Sequence, residues 1–131
     1  MSATNVDLIR RGYDHFERTG EPGSDDWSPD FVWDMSTFRG WPEDREYRGR
    51  EGFDRFMANW LESFDDWSIA VEELIDAGDQ VVVILHQRGR SRSAEVEMRF
   101  AHVWTVRDGI STRAEMYADV DEALAAAGVQ R

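Results

Sequence analysis

From Trp67 to Asp119 the chain is written in four β-rich stretches, "WSIAVEELIDAG", "QVVVILHQRGRS", "AEVEMRFAHVWTVRDG" and "ISTRAEMYAD". Short Gly, Asp or Ser turns separate them, which suits antiparallel hairpins rather than long crossovers. Ahead of them Val6, Ile9, Tyr13 and Phe16 recur at helical spacing until Gly20 and Pro22, predicting a helix over residues 5–19. Phe53, Phe56, Met57, Trp60, Leu61 and Phe64 form a broader apolar stripe, predicting a second helix over 51–64. Between the helices Phe31, Trp33 and Met35 alternate as in a half-buried strand, with Asp34 on the opposite face. Residues 36–49 lack steady periodicity and read as a long loop carrying Trp41 and Tyr47. "DEALAAAG" reads as a short closing helix. Helices followed by antiparallel strands predict one α+β domain over residues 1–131, its curved sheet wrapped around the helices.

Composition narrows the function. A net charge of −12, from 27 acidic against 15 basic residues, would repel a phosphate backbone, so nucleic acid is not an expected partner. Every basic residue is arginine and there is no cysteine, which removes Schiff-base and thiolate chemistry. No apolar run reaches membrane-spanning length, and "MSATNVDLIRR" lacks the order of a secretory signal, so no membrane partner and a cytoplasmic location are expected. Three histidines without paired spacing, no H-E-x-x-H and no glycine-rich phosphate loop give no expectation of a metal or cofactor.

The element order, with "YDHFERTGE", "YRGREGFDRFMANWLE" and "HVWTVRDG", resembles the SnoaL-like branch of the nuclear transport factor 2-like superfamily over nearly the whole chain. The resemblance implies a cone-shaped half-barrel of curved, mostly antiparallel sheet with an apolar cavity between its concave face and the N-terminal helices, commonly in a homodimer joined through the outer face. It does not select a reaction, because the superfamily spans isomerases, cyclases, hydrolases, dehydratases and noncatalytic binders.

One strand carries the sharpest signal. In "MRFAHVWTVRDG" the residues Met98, Phe100, His102, Trp104 and Val106 share a face, and an imidazole stands among four apolar side chains. Such a histidine is either a core residue bonded within the protein or the polar group of a small-molecule site. In ketosteroid isomerases a first-helix tyrosine and a protonated aspartic acid on this strand donate to the developing oxyanion. The resemblance places Tyr13 at that tyrosine and His102 at that acid. The isomerase base falls at Met35, with Asp34 beside it; a one-residue slip or bulge would bring Asp34 inside, which keeps it as a catalytic candidate. Trp33, Met35, Phe56, Trp60, Phe100, Trp104 and Met116 are the expected cavity lining.

Glu115 and Asp119 fall on the outward face of the last strand, opposite Ala114 and Met116, and read as outer-surface charges. His15 is expected on the exposed side of its helix, and the uniformly apolar "VVVIL" leaves the face of His86 open. Arg88, Arg90 and Arg92 read as a solvated hairpin tip. Two functions follow. The first is binding of a small apolar or carbonyl-bearing metabolite, with cofactor-free isomerase, cyclase or hydratase chemistry at His102 and Tyr13. The second is a noncatalytic assembly module whose core is filled by its own side chains.

Overall fold

The computed structural model describes residues 2–130. Its elements are α1 (Ser2–Thr19), β1 (Trp27–Asp34), β2 (Glu46–Arg48), α2 (Gly49–Leu61), β3 (Asp65–Ala77), β4 (Gln80–Ser91), β5 (Ala94–Arg107), β6 (Ile110–Tyr117) and α3 (Val120–Ala126). The strands form a single six-stranded sheet in the order β2-β1-β6-β5-β4-β3. All neighbours are antiparallel except β1 and β6, which run parallel. The result is an α+β domain, an open curved sheet of half-barrel form with α1 and α2 against its concave face.

The hairpins close as their sequences dictate. Asp108 and Gly109 both adopt positive φ between β5 and β6, as do Arg92 and Ser93 between β4 and β5, the backbone twist that two-residue hairpins require. The main core lies inside the curve, where Ile9 of α1 and Phe53, Phe56 and Trp60 of α2 meet Trp33, Leu85, Phe100 and Met116 of the sheet.

A second core lies on the outer face. There Ala123 and Leu124 of α3 cover Val82, Ile84, Ala101, Val103 and Tyr117. This explains "VVVIL": its odd positions enter the main core and its even positions pack under α3, so both faces are apolar. His86 continues the even, outer series, with Nε2 3.3 Å from Glu97 Oε1.

The long loop expected over 36–49 is shorter than that. Tyr47 sits in a three-residue strand, fully buried, pairing with Trp33 of β1, and α2 begins directly afterwards at Gly49. A three-residue strand with one apolar residue gives no alternation to read. Gly52 is required by this contact: a Cβ there would lie 2.8 Å from the Tyr47 carbonyl carbon. The first strand also begins earlier than the sequence suggests, at Trp27, and β6 ends at Tyr117, leaving Asp119 to cap α3 by accepting from Asp121 N (2.8 Å) and Glu122 N (3.3 Å).

Candidate functional site

The helical stripe of α1 that faces the sheet carries Tyr13, and the concave face of β5 carries Phe100, His102 and Trp104. The Tyr13 hydroxyl lies 2.5 Å from Nδ1 of His102 and accepts the Trp104 indole N–H at 2.7 Å. An indole can only donate, so the tyrosine oxygen is the acceptor there and its own hydrogen is free to donate to Nδ1. This network assigns the imidazole hydrogen to Nε2. Among the described residues, Nε2 has no protein partner, and no buried side-chain nitrogen or oxygen is both unpartnered and sealed. Nε2–H therefore opens onto free space.

That space is an aromatic cavity of about 80 Å³. It reaches His102, and Trp33, Phe56, Trp60, Phe100, Trp104 and Met116 line it. Trp27, Trp67 and Ser111 also line it; Trp67 leads the alternating Trp67, Ile69 and Val71 of β3, while a register shift between β5 and β6 sets Ser111 opposite Val106. Trp33 meets the His102 ring edge-on at 4.8 Å between centroids, and Phe100 does so at 5.4 Å. The free volume exceeds that of a single water several-fold. Phe16, Met57 and Trp67 stand between it and a vestibule of about 470 Å³ whose rim carries Glu17, Glu21 and Asp54. Arg50 bridges two of these, at 2.9 Å to Glu21 and 3.0 Å to Asp54.

The His102 end of the site is electrically neutral. His102 is only 6% exposed, and burial pushes its pKa down to about 3. Burial also pushes the Tyr13 hydroxyl well above its ordinary range, opposed only in part by the Trp104 hydrogen bond. At neutral pH the imidazole is uncharged and the phenol is protonated. Among the described residues no arginine lines the cavity, and Asp26 is the sole ionisable carboxylate that does.

Two candidates lie elsewhere. Asp34 is 3% exposed but belongs to the outer face, because the irregularity in the β1–β6 register lies before Val32 and leaves the inward positions beside it to Trp33 and Met35. Its carboxylate pairs with Arg113 and accepts the Ser36 N–H at 2.7 Å, in a cluster that Glu46 joins at 3.6 Å from Arg113. Met35 faces inward but sits in the core beyond the cavity wall, its sulfur accepting the Trp33 indole N–H at 3.3 Å. Glu115 shares the outer face with Arg113, and burial raises its pKa. Groups of three or more metal-ligating side chains do not occur among the described residues.

Sequence reasoning missed Gln87. This residue is 1% exposed on the concave face of β4, and its Oε1 accepts the indole N–H groups of both Trp60 (3.1 Å) and Trp67 (2.7 Å). One carbonyl thereby ties a wall residue of α2 to one of β3. The available signal was that position 87 shares parity with Val81, Val83 and Leu85, but the preceding apolar run hides which parity faces inward.

A family model described as the SnoaL-like domain matches residues 9–114. Solved structures share the fold across almost the full chain. A nuclear transport factor 2-like protein from Burkholderia thailandensis is 27% identical, covering 95% of this chain and 97% of its own, with a TM-score of 0.73. TerC, co-crystallised with polyporic acid, is 26% identical, covering 95% and 98%, with a TM-score of 0.74. A nuclear transport factor 2-like protein of unknown function from Burkholderia pseudomallei is 22% identical, covering 93% and 95%, with a TM-score of 0.74. No curated protein matches the chain.

Proposed function

The chain belongs to the SnoaL-like domain family, and from that membership and the cavity geometry we propose that it binds a small, uncharged, largely apolar metabolite bearing a carbonyl or similar oxygen. The observation that carries this is the unpartnered Nε2–H of His102, open to an aromatic chamber while Nδ1 is held by Tyr13. A polar group with its second nitrogen committed and its first free is suited to one hydrogen bond from a fixed direction. The co-crystal of TerC with polyporic acid supports small-molecule occupancy of this fold.

If the bound molecule reacts, the chemistry that fits is cofactor-free isomerisation, cyclisation or hydration. His102 has too low a pKa to act as a charged acid at neutral pH. Its role is instead to donate from the neutral ring to an oxygen on which negative charge develops, while Tyr13 fixes the tautomer. Asp34 has no part in this reading, since it lies across the sheet.

The small free volume favours the second reading, a noncatalytic module with a self-filled core. NMR of the His102 ring nitrogens separates the two. Under the binding proposal, carbonyl-bearing aromatic ketones shift Nε2 selectively and leave Nδ1 bonded to Tyr13; indifference of both nitrogens to every ketone that quenches cavity tryptophan fluorescence overturns it.

A further inference from the structure

We infer that the vestibule is the outer half of the binding site: the bound molecule puts a compact carbonyl head into the cavity and keeps a bulkier apolar body, free of negative charge, in the vestibule. The inference rests on the cavity reading above and adds to it the ligand's size, shape and charge.

Volume sets the division. A dry cavity of about 150 Å³ takes one benzene ring, whereas the chamber at His102 has about 80 Å³, room for an acetyl group but not for a ring. The vestibule has about 470 Å³. Phe16, Pro22, Phe53, Met57, Trp67 and Ile69 line both spaces, so the partition between them is one side chain thick. Of the three side chains that stand in it, Trp67 is tied to Gln87 at 2.7 Å, and Phe16 packs edge-on against Trp67 at 6.0 Å between centroids. Met57 is half-buried and unbranched and its side chain makes no hydrogen bond, so it is the one that turns aside at least cost.

The vestibule suits an apolar body. Leu61 joins the shared side chains on its wall without reaching the cavity, and it is 37% exposed, one of two large hydrophobic side chains left exposed among the described residues. An exposed leucine in a concave apolar wall is surface that a ligand removes from water. Charge restricts the body further. Glu21 and Asp54 share Arg50, whereas Glu17 forms no ion pair among the described residues. Three carboxylates against one guanidinium leave the rim negative, which repels a carboxylate or phosphate on the ligand and accepts a neutral group. These acidic residues choose among ligands and do not by themselves make the site; the His102 N–H, 6% exposed and unpartnered, marks where the head is held.

The test uses the full chain with acetone and 4-tert-butylacetophenone, each titrated while the His102 ring nitrogens are followed by NMR. Both should shift Nε2. Met57→Trp, which fills the partition, should weaken the larger ketone about tenfold more than acetone, the loss expected when about 60 Å² of its apolar surface returns to water. An equal effect on the two ketones, or an Nε2 that answers acetone but not the larger ketone, would overturn the two-part site while leaving the cavity reading intact. Silence with both ketones overturns the cavity reading and this inference with it. Should M57W not fold, wild type decides: nuclear Overhauser contacts should join the tert-butyl protons to the Leu61 methyl groups, and contacts confined to Trp33 and Phe100 refute the assignment. Charge is read with 4-acetylbenzamide and 4-acetylbenzoate. The carboxylate should bind about fivefold more weakly than the amide at low salt, a gap that narrows at about 1 M salt and in Glu17→Gln. A gap indifferent to both changes overturns the exclusion of anions.

Discussion

Tyr13 and His102 are separated by 89 positions in the chain and meet at 2.5 Å, hydroxyl to Nδ1. With Trp104 donating into the tyrosine oxygen, the three residues form a directed chain, indole to phenol to imidazole, that ends in one outward donor. In the isomerases this domain resembles, a protonated carboxylic acid presents one O–H from the same strand. Here a neutral imidazole presents one N–H, and burial keeps it neutral.

Removing the middle link should be visible in both stability and tautomer. Tyr13→Phe leaves the Trp104 indole N–H and His102 Nδ1 without their partner, so we expect a loss of about 2 kcal/mol in urea unfolding, the usual cost of stranding buried polar groups. Nitrogen chemical shifts should report His102 as the Nε2–H tautomer in wild type and as a mixture in Y13F. A single unchanged tautomer in Y13F would show that the hydroxyl does not set the proton position.

The low pKa of His102 predicts an acid-side stability loss. In the unfolded chain the imidazole gains its proton near the ordinary 6.5, whereas in the folded chain it does so only near 3. Between those values the unfolded state binds more protons, so stability falls as pH drops through that window, by up to about 1.4 kcal/mol per pH unit from this group alone. His102→Gln should flatten the difference between pH 6.5 and 4 relative to wild type when unfolding free energy is measured at each pH. Parallel curves for the two proteins would mean the buried ring titrates normally.

How much of this was legible follows from what each face touches. β5 has water or charged neighbours beside one face along its first half, so Met98, Phe100, His102 and Trp104 announce the inward direction. Tyr13 was legible from helical spacing combined with the family resemblance. β4 was not, because α3 buries its outer face and erases the alternation, which hid Gln87 and left His86 unassigned. β2 was too short to register, and its central residue Tyr47 read as part of a loop. Met35 was assigned to the right face but the wrong depth, and depth is set by α2 packing that no local pattern reports. Asp34 needed a one-residue slip next to it, whereas the register shift of β1 falls before Val32.

Gln87 should behave as a positioning residue for the cavity wall. Gln87→Leu keeps similar volume but leaves the indole N–H groups of Trp60 and Trp67 without an acceptor, a cost of about 2–4 kcal/mol if neither finds water. Gln87→Glu retains an acceptor, and the tryptophan emission maximum should stay closer to wild type than in Q87L. Affinity for aromatic ketones should fall in Q87L with the His102 tautomer unchanged. Loss of the Nε2–H tautomer in Q87L would instead indicate general collapse of the chamber.

Asp34 offers the sharpest separation between a structural and a catalytic carboxylate. Burial pushes its pKa up, but the Ser36 hydrogen bonds and the Arg113 guanidinium outweigh burial and hold it below the ordinary 3.8. Its contribution is therefore complete above pH 3.8 and lost as pH falls from there through the lower folded value. Asp34→Asn keeps a similar shape but removes the charge facing Arg113, and Glu46 at 3.6 Å from Arg113 offsets only part of the loss. A cost of about 2 kcal/mol at pH 7 is expected, between the values of exposed and fully buried pairs. Wild type and D34N should converge in stability below pH 3.8, while ketone affinity and the His102 nitrogen shifts stay within twofold and unshifted. A D34N protein of full stability that no longer binds ketones would place this carboxylate in the ligand's path and contradict its position on the outer face.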